Sequence, residues 1–460
     1  MFDPITTVAA LLIVLPAFFL VLTQSTYAAD YAIFVVAFNR LVRRIVDYNN
    51  GAFNNYSLIS LTPAVVCGFL VLGFVVASNR KPIAERIVST KVVRVYAIAV
   101  AFAFVIGILR NRLAAVHALG DYLAPIGLLG YGILACQEPG VIDRWCRSIA
   151  VACVGVAVYG IWQFYTIPPW DGFWLVQAGM SGYMGEPEPM KMTLFSTMQE
   201  RGPVAGFLVS GMFVLLFRQG QPIFKWPAVI CILIAILLTS VRTTMVQFAI
   251  ALMIFPLINQ NVSIVRTAFA AILLTAITSN VIEYVPGFGR VSDRLATLGD
   301  LPNDGSVQGR IYLFYYAAIN AFGEPFGTGL GSMGLSSSRI AGGSTAIGDS
   351  SGYMSLLQTF GWIGFILICL MMWRIWKSTG DVLRQESDNQ NIMLLRAWFI
   401  SGVAAFMAGD WLFTASFFWI VAGYCLGLSD AYAISAREVD EIDELDDWDM
   451  QYQHPSLHAS

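Results

Sequence analysis

Two arginines stand where an apolar chain should hold none. Arg242 falls in Leu238-Thr239-Ser240-Val241-Arg242-Thr243-Thr244, a linker so short between two apolar runs that its side chain must lie at a membrane boundary. Arg310 lies in Gly309-Arg310-Ile311-Tyr312, where apolar and aromatic residues recur at helical spacing through Phe322. An arginine costs on the order of 2.5–3.5 kcal/mol at mid-membrane and less near the interface, so an anion that neutralises it is one reason to keep it there. The other reason is mundane: snorkelling, or a salt bridge to a loop carboxylate. Arg201, Arg290 and Arg294 occupy neighbouring polar segments. Several guanidinium forks converging on one cavity suit a pyrophosphate, whose oxygens they grip in pairs. Asp349 and, second, Glu324 are carboxylates able to take a proton from a hydroxyl. For Asp349 the alternative is a loop cap ahead of Ser350-Ser351-Gly352.

The elements that must position these groups are membrane helices. The 460 residues are 57% hydrophobic and 12% charged, with a mean hydropathy of +0.66. A soluble domain carries roughly 25% charged residues, so most of the polar coat is missing and the surface must face lipid. Apolar runs at 7–22, 61–78, 92–109, 119–136, 149–165, 204–217, 228–240, 245–258, 264–281, 354–373, 397–407 and 411–428 give an all-α polytopic membrane protein with about twelve transmembrane helices. Residues 31–41 are too short to assign from hydropathy, and a re-entrant or interfacial segment is one option for them. The chain divides into a transmembrane unit, 1–434, and an acidic tail, 435–460.

Basic residues assign the sides. Arg80, Lys81, Arg86, Lys91 and Arg94, then Arg144 and Arg147, Arg218 and Lys225, Arg266, and Arg374, Lys377 and Arg384 all share one side, which is therefore cytoplasmic. Parity puts two long segments on the other side, at about 166–202 and 283–352, both rich in Gly, Pro and aromatic residues. Long ordered loops of this kind are usually functional. Arg40, Arg43 and Arg44 are the misfit, since parity puts them outside as well. Either residues 31–41 span and a later pair of helices is miscounted, or these arginines are functional.

Other signals are weaker. The net charge of −3 and the lack of a basic stripe exclude a nucleic-acid partner. No Walker or Gly-x-Gly-x-x-Gly loop is present on the cytoplasmic side to support nucleotide-driven transport. Gly323–Gly334 looks like either a phosphate-cradling loop or a flexible turn. Asp447-Trp448-Asp449 sits in the acidic run and reads as solvated charge, so no metal or other cofactor is expected. The seven cysteines lack Cys-x-x-Cys spacing and read as buried hydrophobes. The only histidines are His117, His454 and His458.

Four segments then resemble the O-antigen polymerase and O-antigen ligase superfamily (Wzy/WaaL type). They are Phe195-Ser196-Thr197-Met198 with Gly202-Pro203; Thr239-Ser240-Val241-Arg242; Gly309-Arg310 running through Phe322-Gly323-Glu324-Pro325-Phe326-Gly327-Thr328-Gly329-Leu330-Gly331; and Asp349-Ser350-Ser351-Gly352-Tyr353 running to Gly361-Trp362-Ile363-Gly364. The resemblance implies a metal-independent, GT-C-like membrane glycosyltransferase of the bacterial inner membrane, acting on undecaprenyl-pyrophosphate-linked glycans at the periplasmic face. It assigns lipid pyrophosphate to Arg242 and Arg310. Ser350 stands where the ligase branch has its histidine. That departure is closer to exopolysaccharide repeat-unit polymerases, whose motif at this point resembles Asp-Ser-Gly-Tyr.

On this reading Arg242, Arg310 and Asp349 are catalytic, while Arg201, Arg290, Arg294, Glu324, Ser350, Ser351 and Tyr353 bind substrate. A flippase, a chain-length regulator and membrane lipid are the implied partners. The alternatives are a ligase that moves a finished glycan to lipid A-core and, in a different class, a lipid-linked oligosaccharide flippase. A flippase needs polar groups spread through the bundle midplane, whereas here they gather in the outer segments.

Overall fold

The computed structural model describes residues 3–54, 57–80, 88–136, 138–217, 225–258, 305–333, 352–387, 389–406 and 416–453. They form a helical bundle: α1 Pro4–Leu22, α2 Tyr27–Asn49, a 3-10 turn Leu58–Leu61, α3 Thr62–Arg80, α4 Val88–Asn111, α5 Leu113–Leu134 and α6 Val141–Thr166. There follow α7 Pro169–Gln177, α8 Ser181–Met184, α9 Arg201–Phe217, α10 Lys225–Thr239, α11 Arg242–Ile258, α12 Gly305–Gly323, α13 Gly352–Gln385, α14 Gln390–Phe406 and α15 Ser416–Gln453. Among the described residues seven helices are long and apolar enough to cross a membrane, and α9, α10 and α11 are shorter apolar helices. The polytopic all-α architecture read from the sequence is the one observed. The expected span at 264–281 lies outside the described residues.

Large apolar side chains occur on both sides of the outer helices. Leu12 and Phe19 of α1 and Ile98 and Val105 of α4 are exposed, while Tyr96 and Ala103 of α4 are buried. In lipid, apolar burial does not drive helices together, so close approach of small residues does. α5 and α15 show this directly: a Cβ on Gly423 would fall 2.1 Å from Leu129 O, and one on Gly132 would fall 2.4 Å from Ile420 O.

Residues 31–41 are neither re-entrant nor interfacial. They are the middle of α2, about 34 Å long at 1.5 Å per residue. This helix runs back along the whole of α1. Tyr31 Oη donates to Ile13 O at 2.7 Å, and Asn50 at the far end donates to Asp3, the N-cap of α1, at 2.5 Å. The sequence disguised this helix because Asp30, Asn39, Arg43, Arg44 and Asp47 interrupt its hydropathy, yet all five are buried. They face protein rather than lipid, and each charge is paired, which a helix inside a bundle tolerates.

Counting α2 as a crossing inverts α1 and leaves every later helix as parity had it. Two ends of the bundle result. Arg144 at the start of α6 meets Asp30 at the start of α2, with Nε–Oδ2 at 2.9 Å, and α2 and α6 run parallel from there. Their C-terminal ends, with α4, α10 and the starts of α5, α9, α11 and α13, make the opposite end, which carries the long irregular segments. We call it the loop end. α15 runs parallel to α5, away from the loop end, and continues as one helix through residue 434 into the acidic run to Gln453.

Candidate functional site

Residues 167–200 form a cap over the loop end of α2 and α6. Pro168 and the left-handed Ile167 stop α6, and the chain turns into α7 and α8. Trp174, Leu175, Met180, Met184, Met192 and Phe195 bury against one another as a second, smaller core. Arg44 of α2 enters this cap from below. Its Nε lies 2.9 Å from Asp171 Oδ1, its Nη1 donates to Met198 O at 2.8 Å, and its Nη2 donates to Ser196 O. The guanidinium packs over the Phe195 ring, 4.9 Å from its centroid. The second carboxylate oxygen of Asp171 accepts from Tyr159 Oη at 2.7 Å and from Gln163 Nε2 at 2.6 Å. Gln163 in turn accepts the Ser196 N–H at 2.7 Å.

Two of the three arginines, Arg43 and Arg44, thus resolve into structural pairs. Arg43 binds Asp47 at 3.3 Å and the Asn54 carbonyl at 2.7 Å. With Arg40, Gln199 and Trp174 the two line a narrow crevice beneath the cap. Removing one partner from a buried ion pair costs about 3–5 kcal/mol, whereas replacing both by apolar residues is often near neutral. Arg44 and Asp171 therefore confer a specific geometry more than net stability.

The cap delivers the chain to Arg201, the first residue of α9, whose guanidinium lies over the Tyr183 ring of α8 at 4.4 Å. Arg242 is the first residue of α11, two residues after the left-handed Ser240 that ends α10. It is half-buried. α9 and α11 pack against each other with their N-termini at the loop end. Two helix starts at this end, each opened by an arginine, add positive potential there. Arg310 takes its place in the second turn of α12. Arg290, Arg294, Asp349, Ser350 and Ser351 lie outside the described residues.

The Gly-rich stretch is neither a phosphate cradle nor a flexible turn. Its amides already have acceptors: Thr328 N–H on Gln358 O at 2.7 Å, Gly329 N–H on Thr359 O at 3.1 Å, and Leu330 N–H on Ala103 O at 2.9 Å. The segment is a wedge driven between α4, α5 and α13. Gly329, at φ +82°, would place a Cβ 2.2 Å from Gly107 N, so only glycine fits. On the other side α13 breaks at Gly361, φ +64°, where a Cβ would meet Pro325 O at 2.2 Å. The break exposes the Gln358 and Thr359 carbonyls that the wedge caps. The spaced glycines of the fourth segment thus have a packing reason.

Two expected substrate groups are already engaged. Glu324 pairs with Arg110 at the end of α4, 2.8 Å apart and half exposed. Tyr353 Oη donates to Val403 O at 2.9 Å, its ring edge-on to Phe406. Two groups were missed in the sequence. Gln163 sits within an apolar span with no motif around it. His117 lies half-buried in the second turn of α5, close to the loop end, with Asp121 one turn further on. Only the antiparallel hairpin of α4 and α5, linked by Arg112 alone, puts it there.

A family model described as O-antigen ligase matches residues 227–369, roughly a third of the chain, from α10 to the middle of α13. No curated protein matches the chain. The match bears out the resemblance to the O-antigen ligase and polymerase superfamily and supports a membrane enzyme of that type.

Proposed function

We propose that this protein polymerises oligosaccharide repeat units carried on undecaprenyl pyrophosphate, at the periplasmic face of the bacterial inner membrane, to make an exopolysaccharide or O-antigen chain. The observation that carries the reading is a pair of helix starts, Arg201 on α9 and Arg242 on α11, at the end of the bundle opposite the basic loops. Cations there run against the usual charge bias of membrane proteins, which a lipid pyrophosphate explains.

The chemistry asks little of the protein. The sugar to be transferred is bound through its anomeric carbon to a pyrophosphate, which is already a good leaving group. An acceptor hydroxyl from the next lipid-linked unit attacks that carbon. The bond between carbon and pyrophosphate oxygen breaks, and undecaprenyl pyrophosphate departs with the electron pair. Arg201, Arg242 and Arg310 stabilise the growing negative charge, and preorganised cations of this kind are commonly the largest catalytic term. Asp349 takes the hydroxyl proton. Ser350, where the ligase branch has histidine, favours polymerisation over ligation. The family match is also compatible with the second reading, a ligase that transfers a finished glycan to lipid A-core.

A deletion strain separates the two. Loss of a polymerase leaves single repeat units on the carrier, and loss of a ligase leaves long chains stranded on it. Arg242→Ala and Arg310→Ala should each abolish product at normal protein level. Unchanged polymer yield and length in both variants would sink the glycosyltransferase reading.

A further inference from the structure

We propose that Arg44, Asp171 and Gln163 are positioning residues that set Arg201 against its substrate through the turn Phe195–Met198. The inference rests on the reading that Arg201 meets the lipid pyrophosphate. The polar groups of the turn point into the bundle and are engaged there. Ser196 Oγ donates to Val156 O at 2.5 Å and Thr197 Oγ1 to Ala37 O at 2.6 Å. The Ser196 carbonyl accepts from Arg44 and from Gln163, and the Met198 carbonyl accepts from Arg44. Phe195, Ser196 and Thr197 are fully buried. A segment so engaged has nothing left to offer a glycan. Its output is the direction in which it sends the chain.

That direction is imposed rather than intrinsic. Ser196 holds φ +48°, a left-handed conformation that a residue with a Cβ adopts only when its surroundings require it. Gln163 grips the Ser196 amide and carbonyl together, and Arg44 grips the carbonyls on either side of Thr197. Three residues past Met198 the chain reaches Arg201. The cap also supplies Tyr183, on which the Arg201 guanidinium rests. Arg201 Nη1 is itself buried with no hydrogen-bond partner among the described residues. The cap thus places this cation from two directions, and Arg44 is the side chain that ties cap to bundle.

The test uses the full-length protein in native membranes and in detergent. The double variant Arg44→Met with Asp171→Leu removes both charges together, so that neither is left buried without its counter-charge, and Gln163→Leu supplies an independent second variant. Two readouts are followed at matched membrane levels: surface polysaccharide, and tryptic cleavage after exposed Lys191, whose neighbour Met192 is buried in the cap. The expectation is cleavage at least tenfold faster with polysaccharide at least tenfold lower, and loss of the thermal shift that undecaprenyl pyrophosphate gives the wild type. Full polysaccharide from both variants, with Arg201→Ala inactive, would overturn the inference. Full polysaccharide from Arg201→Ala would instead overturn the reading beneath it.

Discussion

The cap and the wedge occupy the same end of the molecule and look alike in sequence, both being rich in glycine, proline and aromatic residues. They are held by opposite means. The cap is fixed by side chains, an arginine, a carboxylate and an amide that reach in from α2, α6 and α7. The wedge is fixed largely by backbone, with its amides on the carbonyls of a broken helix and its glycines against main chain, and Asn111 of α4 adds donations to Thr328 O and Leu330 O. A side-chain clamp is graded and can be weakened step by step. A backbone joint tolerates almost any change that adds no atom, and hardly any that does. Irregular segments in a membrane protein can therefore share a composition and differ completely in what breaks them.

This contrast orders the expected effects. Gly329→Ala should be the most damaging change, since its Cβ would fall 2.2 Å from the Gly107 amide nitrogen, which cannot move without α4. Folded protein in the membrane, measured by size-exclusion fluorescence, should be nearly absent. Arg44→Ala leaves Asp171 buried and unpaired and should cost about 3–5 kcal/mol. Its melting temperature in detergent should fall well below that of Arg44→Met with Asp171→Leu, and equal values would remove the ion-pair argument. Thr328→Val deletes the hydroxyl that donates to Gln358 O at 3.0 Å but keeps the backbone bonds, and should cost only about 1 kcal/mol. If it cost as much as Gly329→Ala, the wedge would depend on side chains after all. Arg110→Ala breaks a half-exposed pair with Glu324 and should shift stability by about 1 kcal/mol or less.

The smallest effect is a titration in the cap. A hydrogen bond from Lys191 to Glu188, then the charges of Glu188 and Glu186, raise the Lys191 pKa above its ordinary 10.5. A raised folded value means that the contribution is whole below the unfolded pKa and lost as pH rises through the folded one. Cap proteolysis should therefore show no step from this group between neutral pH and 10 (the ordinary value being 10.5). A step near neutral pH would point to another ionisable group.

Much of this architecture was legible in the sequence because lipid demands uninterrupted apolar runs, and α1, α3, α4 and α6 supply them. The starts of α9 and α11 were legible too, because the apolar runs at 204–217 and 245–258 begin three residues after Arg201 and Arg242. α2 was not, because hydropathy assumes that a crossing helix faces lipid, whereas this one turns its charges toward α6 and the cap. Gln163 was hidden for the converse reason: one amide in a run of apolar residues carries no signal until its partners across 32 and 33 residues are known. The pairing of Glu324 with Arg110 was hidden because 214 residues separate the two in sequence.

The crossing made by α2 has a practical consequence for anyone labelling this protein. With α1 beginning at the loop end and α15 leaving at the other, a tag ahead of α1 and a tag behind α15 lie on opposite sides of the membrane. A fluorophore that matures only in the cytoplasm should light at one terminus and stay dark at the other. Under a count that omits α2, both would light.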